Sequence, residues 1–196
     1  MTSRQIFAEL VQRMGAGGNV RDDFPYTLGD IMPHLDFAFS TAVKYRLNEN
    51  YSITKSWGVD SSLTRKYKID VEDGRAMLPV SIPRLPNDAA VYQVGYKGNN
   101  YNRTTPDYAS RFSGLLAKAV ASQPKFWVED DSIVFYQIPN GIKCVDALLV
   151  PLPSSLDEDD EILFPAGFEN MIIDTVLQRM GFAIQVPEDK ANDGHR

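Results

Sequence analysis

The chain has one cysteine, two histidines and two tryptophans in 196 residues. Each scarcity excludes something. A lone Cys144 cannot form an internal disulfide, and this usage fits a reducing compartment. His34 and His195 are far apart, and neither has a second His or Cys at metal-ligand spacing. No apolar run approaches the roughly 18 residues of a membrane span. Thr2–Met14 carries Arg4, Glu9 and Arg13 among its apolar residues and does not read as a signal peptide. Basic residues are outnumbered, 20 against 26 acidic, for a net charge of −6. A protein that grips nucleic acid needs a phosphate-neutralising Lys/Arg patch, so this balance argues against one. Internal repeats and low-complexity segments are also missing.

Catalytic signatures are equally thin. No serine sits in a G-x-S-x-G elbow. The glycine-rich GAGGN after Met14 lacks the Lys-Ser/Thr of a phosphate loop and reads as a helix stop. The acidic run Asp157–Glu161 has neither the spacing nor the glycine of a calcium loop. It reads as a solvated loop leading to a helix N-terminus. Asp130 and Asp131 are adjacent and fit a turn better than a paired-carboxylate site. Lys143 beside Cys144 could lower the thiol pKa, yet the position suits a buried structural cysteine. The expectation is no catalytic residue, no metal and no cofactor.

What is present is an α+β pattern: helices at both ends and strands between them, packed as an antiparallel sheet or sandwich. A chain of this length buries on the order of 70% of its unfolded surface, so one domain is the default. Thr2 and Gln5 are spaced as a capping box for a helix to Met14. A second helix begins at Thr27 or Asp30 and reaches about Leu47, with Ile31, Leu35, Phe39, Val43 and Leu47 on one side. Pro33 suits only a first turn, which favours Asp30 as the cap. From Tyr51 to Tyr67 the text fits a strand or a loop. Leu63–Val71 and Ala76–Ile82 read as a hairpin about Asp73-Gly74, with Pro79, Pro83 and Pro86 limiting its second arm. Ala90–Tyr96 is another strand.

Lys97 to about Ser110 is a long polar insert whose Tyr101, Arg103, Tyr108 and Arg111 give it an aromatic and basic character. Arg and Tyr are enriched at protein interfaces, so these four are candidate partner contacts, against the alternative of a solvated loop. Phe112–Ser122 suits a short helix. Phe126–Val128 and Ser132–Tyr136 form a hairpin over Glu129–Asp131. Val145–Val150 is read as a strand buried on both faces, and Pro151 ends it. Pro165 is placed to open an amphipathic helix carrying Phe168, Ile172, Ile173, Val176, Leu177 and Met180, with Gly181 as its cap. In the tail, Phe182, Ile184 and Val186 alternate and suit addition to a neighbour's sheet edge. The expected organisation is one domain over 1–182, with an insert near 97–113, and an extended tail over 183–196.

One resemblance adds to this reading. The FWVE hairpin, the ALLVPLP strand, the acidic loop and the helix opening through FPAGFE together resemble the head-to-tail connector or adaptor proteins of short-tailed phages. Among these the chain is most similar to the ring proteins in the neck of crAss-like phages. The likeness covers the second half well and the first half loosely; Asn19–Ser62 carries no matching motif. It implies a virion structural protein, not an enzyme, made in the bacterial host cytoplasm and located in the neck or tail region. Its partners would be copies of itself in a ring of twelve, the portal, and other neck and tail proteins. Genomic DNA would pass through the lumen without specific binding, past an acidic wall that repels it. No membrane is involved. On this view, deleting 97–113 leaves a folded monomer that fails to assemble. Two other readings remain open. One is a monomeric β-rich module binding a carbohydrate or peptide through Trp57, Trp127 and the tyrosines. The other is a metal-dependent hydrolase using the acidic residues.

Overall fold

The computed structural model describes residues 1–14, 26–107, 124–139 and 141–181. The fold is α+β. Helix α1 spans Ser3–Met14 and α2 spans Leu28–Thr54. Eight strands follow: β1 Arg65–Asp70, β2 Arg75–Met77, β3 Val91–Tyr96, β4 Asn99–Asn100, β5 Asn102–Arg103, β6 Lys125–Glu129, β7 Ser132–Tyr136 and β8 Cys144–Leu149. Helix α3 spans Glu169–Arg179.

The strands form two four-stranded sheets, ordered β1-β8-β3-β4 and β2-β7-β6-β5. All pairs are antiparallel except β5 with β6, which is parallel. The expected Asp73-Gly74 turn is present, with left-handed φ of 49° and 75°. Its arms nevertheless do not pair. Only Glu72 and Arg75 bridge across it, and then β1 joins β8 in one sheet while β2 joins β7 in the other. Pro79 closes the second arm, leaving β2 three residues. The turn is therefore a corner between two layers.

Those layers are a sandwich. Ile69, Val91, Val94, Val145, Ala147 and Leu149 from the first sheet share one core with Ala76, Phe126, Ile133 and Phe135 from the second. Strand β8 lies between β1 and β3 but alternates half-buried with buried residues along its length. It is central in the ladder without being covered on both faces, which corrects the reading of a doubly buried strand.

The helices build a second core at one end of the first sheet. Leu63 before β1, Ala90 before β3 and Val150 after β8 all join the cluster with Ile6, Leu10, Phe39, Leu47, Ile172 and Val176. Ile82 packs against both clusters. Arg13 ties α1 to α3 by bonds to Asp174 at 3.0 Å and Asn170 at 2.9 Å.

Both helix starts near the N-terminus follow local chemistry. The Thr2–Gln5 box forms, with Thr2 N donating to Gln5 at 2.9 Å. For α2 the cap is Thr27, not Asp30. Asp30 accepts from the Thr27 backbone N at 2.8 Å while Thr27 Oγ1 accepts from Asp30 N at 3.3 Å. The bonds that the carboxylate accepts from Thr27 N and, at 2.7 Å, from Thr27 Oγ1 hold the Asp30 carboxyl below its usual pKa. The reciprocal cap outweighs the cost of Pro33 in the second turn. The C-terminal helix starts four residues later than Pro165 suggests. Pro165 opens a turn closed by Phe168 N to its carbonyl at 3.1 Å, and Gly167 takes a left-handed φ of 82° that no helix can include.

Candidate functional site

The 97–107 stretch is part of the sandwich, not an appendage. Gly98 turns β3 into β4, and β5 then crosses to lie beside β6 in the other sheet. Tyr101, between these two strands, is 7% exposed and meets Phe135 edge-on at 6.1 Å. Its hydroxyl has no hydrogen-bond partner among the described residues. Burial, with Tyr96 nearby, pushes its phenol pKa up. Tyr101→Phe keeps the ring and removes an unsatisfied polar atom. Thermal melts should show the variant as stable as wild type, or more stable by about 1 kcal/mol. A comparable loss would mean that the hydroxyl is bonded after all.

Arg103 is a latch between layers. From β5 its Nη1 donates to the Asn87 carbonyl at 2.6 Å and its Nη2 to the carbonyl of Val91. The guanidinium lies 5.6 Å from the Phe126 ring centroid. Burial lowers its pKa, and Asp88 opposes that shift. The residue as a whole is exposed, while its guanidinium is bonded to two carbonyls of the same chain. Asn87 and Asp88 hold left-handed φ of 54° and 51°, a conformation that costs non-glycine residues energy unless the surroundings impose it.

Two of the four insert candidates, Tyr101 and Arg103, therefore have their aromatic and charged ends committed within the chain. The structure does not bring them to an outer face together. Tyr108, Arg111, Phe182, Ile184 and Val186 lie outside the described residues, as does the Phe112–Ser122 helix. Deleting 97–113 would remove β4, β5, Tyr101 and Arg103. It should damage folding, which replaces the expectation of an intact monomer.

The acidic run is likewise occupied. Arg4 reaches Glu158 at 3.0 Å and Asp159 at 3.2 Å, and Arg65 reaches Asp160 at 3.3 Å. The Met1 amine lies 3.9 Å from Glu161, and Ile162 N donates to the Met1 carbonyl at 2.8 Å. The loop clamps α1 and β1 together; it is not merely a solvated lead into α3. Each exposed pair is individually weak, but together they span three elements. Among the described residues no group of three His, Cys, Asp or Glu is arranged to hold a metal ion.

The feature that sequence reasoning missed is on α2. The expected helix ends near Leu47; the observed one runs to Thr54. Leu47 is the last buried residue of the helix. Seven large apolar side chains are exposed among the described residues. Five of them, Phe37, Tyr45, Tyr51, Ile53 and Trp57, lie on α2 or the turn after it. Phe37 is covered by Arg179 at 3.9 Å and Tyr45 leans on Phe168 at 5.6 Å. Beyond them, Lys55 caps the helix with a left-handed φ of 57°. The chain reverses there, and Trp57 stacks on Tyr51 at 4.0 Å and 14°. Ile53 is 74% exposed. The signal for this overrun was available: no Gly or Pro interrupts His34 to Trp57.

A groove faces the opposite kind of chemistry. The Ile82–Ala90 crossing and the β6–β7 turn enclose about 250 Å³. Ile82, Leu85 and Val128 line it as apolar surface, and Asp130 and Asp131 line it as carboxylates.

Comparison with known proteins adds little. No family model matches the chain. One alignment of 113 residues is 33% identical to a cycloisomaltooligosaccharide glucanotransferase from Niallia circulans. It takes in 43% of this chain and 12% of that enzyme. The chain thus spans only a small part of the curated relative it matches.

Proposed function

We propose that the protein is a virion structural subunit of a tailed phage, one copy of a neck ring that connects head to tail around the DNA channel. The observation that carries this is the concentration of exposed aromatic and aliphatic side chains along α2 and its capping turn. Several large apolar side chains left exposed along one helix and its cap suit a contact with another macromolecule. An outward helix end that buries nothing of its own gains little stability within the monomer. The connector resemblance in the second half of the chain then says which kind of assembly. The role is structural rather than catalytic. Its partners are copies of itself, twelve in the resembling rings, with the portal and tail proteins above and below. DNA passes through without base-specific contact, as the charge of −6 favours.

The test is native mass with negative-stain images, alone and with portal-like virion partners. A closed ring under either condition supports the reading. A protein that stays monomeric in both is not a connector.

A second reading has two observations behind it. Tyr51 and Trp57 form a flat stack and are each 36% exposed, and exposed aromatic rings bind sugar rings as well as proteins. The partial match is to an enzyme named for glucan transfer. On this reading the protein is a carbohydrate-binding module. Isothermal titration with isomalto-oligosaccharides decides it: saturable heat that Trp57→Ala abolishes would favour the module over the ring.

A further inference from the structure

We propose that the α2 tip of one copy inserts into the groove between the Ile82–Ala90 crossing and the β6–β7 turn of the next copy. This rests on the ring reading and names the contact that closes the ring.

The two surfaces match in kind. The tip offers Ile53 and the exposed parts of the Tyr51–Trp57 stack, with the Lys55 Nζ 5.9 Å from the Tyr51 ring centroid. Its only carboxylate, Glu49, is neutralised by Arg46 at 2.7 Å. A helix C-terminus ordinarily presents a partial negative charge. Here three carbonyls of the last turn and a half carry bonds from the cap. Asn50 O accepts from Thr54 Oγ1 at 2.8 Å, Tyr51 O from Lys55 N at 2.9 Å and Ser52 O from Lys55 Nζ at 3.0 Å. The tip therefore presents apolar surface and the Lys55 ammonium, which is anchored to the helix end through one of its three N–H groups.

The groove is the complement. Its apolar wall is Ile82, Leu85 and Val128, and its outer edge carries Asp130 and Asp131. Neither aspartate forms an ion pair among the described residues. Arg84 and Asp88 also line it, and Asp88 faces the Arg103 latch. At about 250 Å³ it falls below the roughly 300–1,000 Å³ of small-molecule pockets. It suits one or two inserted side chains.

The pairing also has the required symmetry. Tip and groove are different patches, so one contact leaves a free tip and a free groove. Such a head-to-tail contact, repeated, is the kind that builds a ring when its rotation divides a full turn. A two-fold dimer through the tips alone would set Lys55 against Lys55.

The experiment uses the full chain under whichever condition gives wild-type assembly. Ile53→Asp disables the tip, and Asp130→Asn with Asp131→Lys disables the groove. All three positions are exposed, so melting temperatures should match wild type. Each variant alone should sediment as a monomer, with self-association weakened at least tenfold. Mixed together, they should form a heterodimer and stop, because each retains one intact surface. Lys55→Asp combined with Asp131→Lys, in one chain, should restore assembly that either change alone weakens. If folded Ile53→Asp assembles as wild type does, this contact is wrong while the ring stands. If wild type never assembles even with virion partners, both readings fall.

Discussion

Phe126→Ala should destabilise the protein by about 3–5 kcal/mol, the usual cost of emptying a buried aromatic site. For a chain of this length that is a fall in melting temperature on the order of 6–20 °C. Phe126 is 2% exposed in the core shared by the two sheets. Its strand has β5 on one side and β7 on the other, so neither neighbour can close into the void without breaking a ladder. The loss would not stop at packing. The ring also supports the Arg103 guanidinium, and without it the latch to Asn87 and Val91 loses one of its three contacts. Met77→Ala is the control. Met77 is 68% exposed on β2, and its truncation should stay within about 0.5 kcal/mol. Urea unfolding of both variants makes the comparison. A Phe126→Ala loss under about 1 kcal/mol would show that the sheets are not held through this residue.

Gly95→Val should cost about 3 kcal/mol or more, through overlap rather than a void. A Cβ at position 95 would stand 2.5 Å from the Asn99 carbonyl oxygen and 3.2 Å from the Asn100 Cα. Both are backbone atoms on the facing strand, so no side chain can swing away. Relief requires opening the pairs Gly95–Asn100 and Tyr96–Asn99. That hairpin leads directly into Tyr101, whose N donates to Val94 O at 2.8 Å, and then into Arg103. Its displacement should unseat both. Gly95→Ala should act in the same direction with a smaller effect. Thermal melts and near-ultraviolet circular dichroism report the two consequences, global stability and the Tyr101 environment. A neutral Gly95→Ala would mean that β4 does not approach β3 this closely.

The insert shows why composition misleads about exposure. Tyr and Arg in a polar loop resemble interface residues. A two-residue strand, however, has two faces, and composition cannot say which one meets the core. Tyr101 and Arg103 were legible as unusual, but not the burial of Tyr101 or the intrachain bonds of the Arg103 guanidinium. The α2 tip shows the converse. Asn48–Thr54 carries no apolar period, so the pattern ends at Leu47. The backbone continues because nothing in the sequence stops it before the left-handed Lys55. The groove had no signal at all, since Ile82 and Val128 are 46 positions apart in the numbering of the chain and meet only through the fold.

Local chemistry decided the local elements. The Thr2–Gln5 box, the Asp73-Gly74 turn, the β6–β7 hairpin and the buried stripe of α3 are all interactions within a few residues, and each was read from spacing; the Thr27–Asp30 box is equally local, but Pro33 drew the expected cap to Asp30. The α+β class followed from their order. Which strands pair was a tertiary matter. The hairpin expected across Asp73-Gly74 became a corner because β8, far along the chain, offered β1 a longer antiparallel partner than three-residue β2 could. The acidic loop became a clamp because Arg4 and Arg65 arrive from distant elements. The exposed tip and the groove are likewise surfaces left over after the two cores close, and a remainder of that kind is defined only once the whole chain has folded.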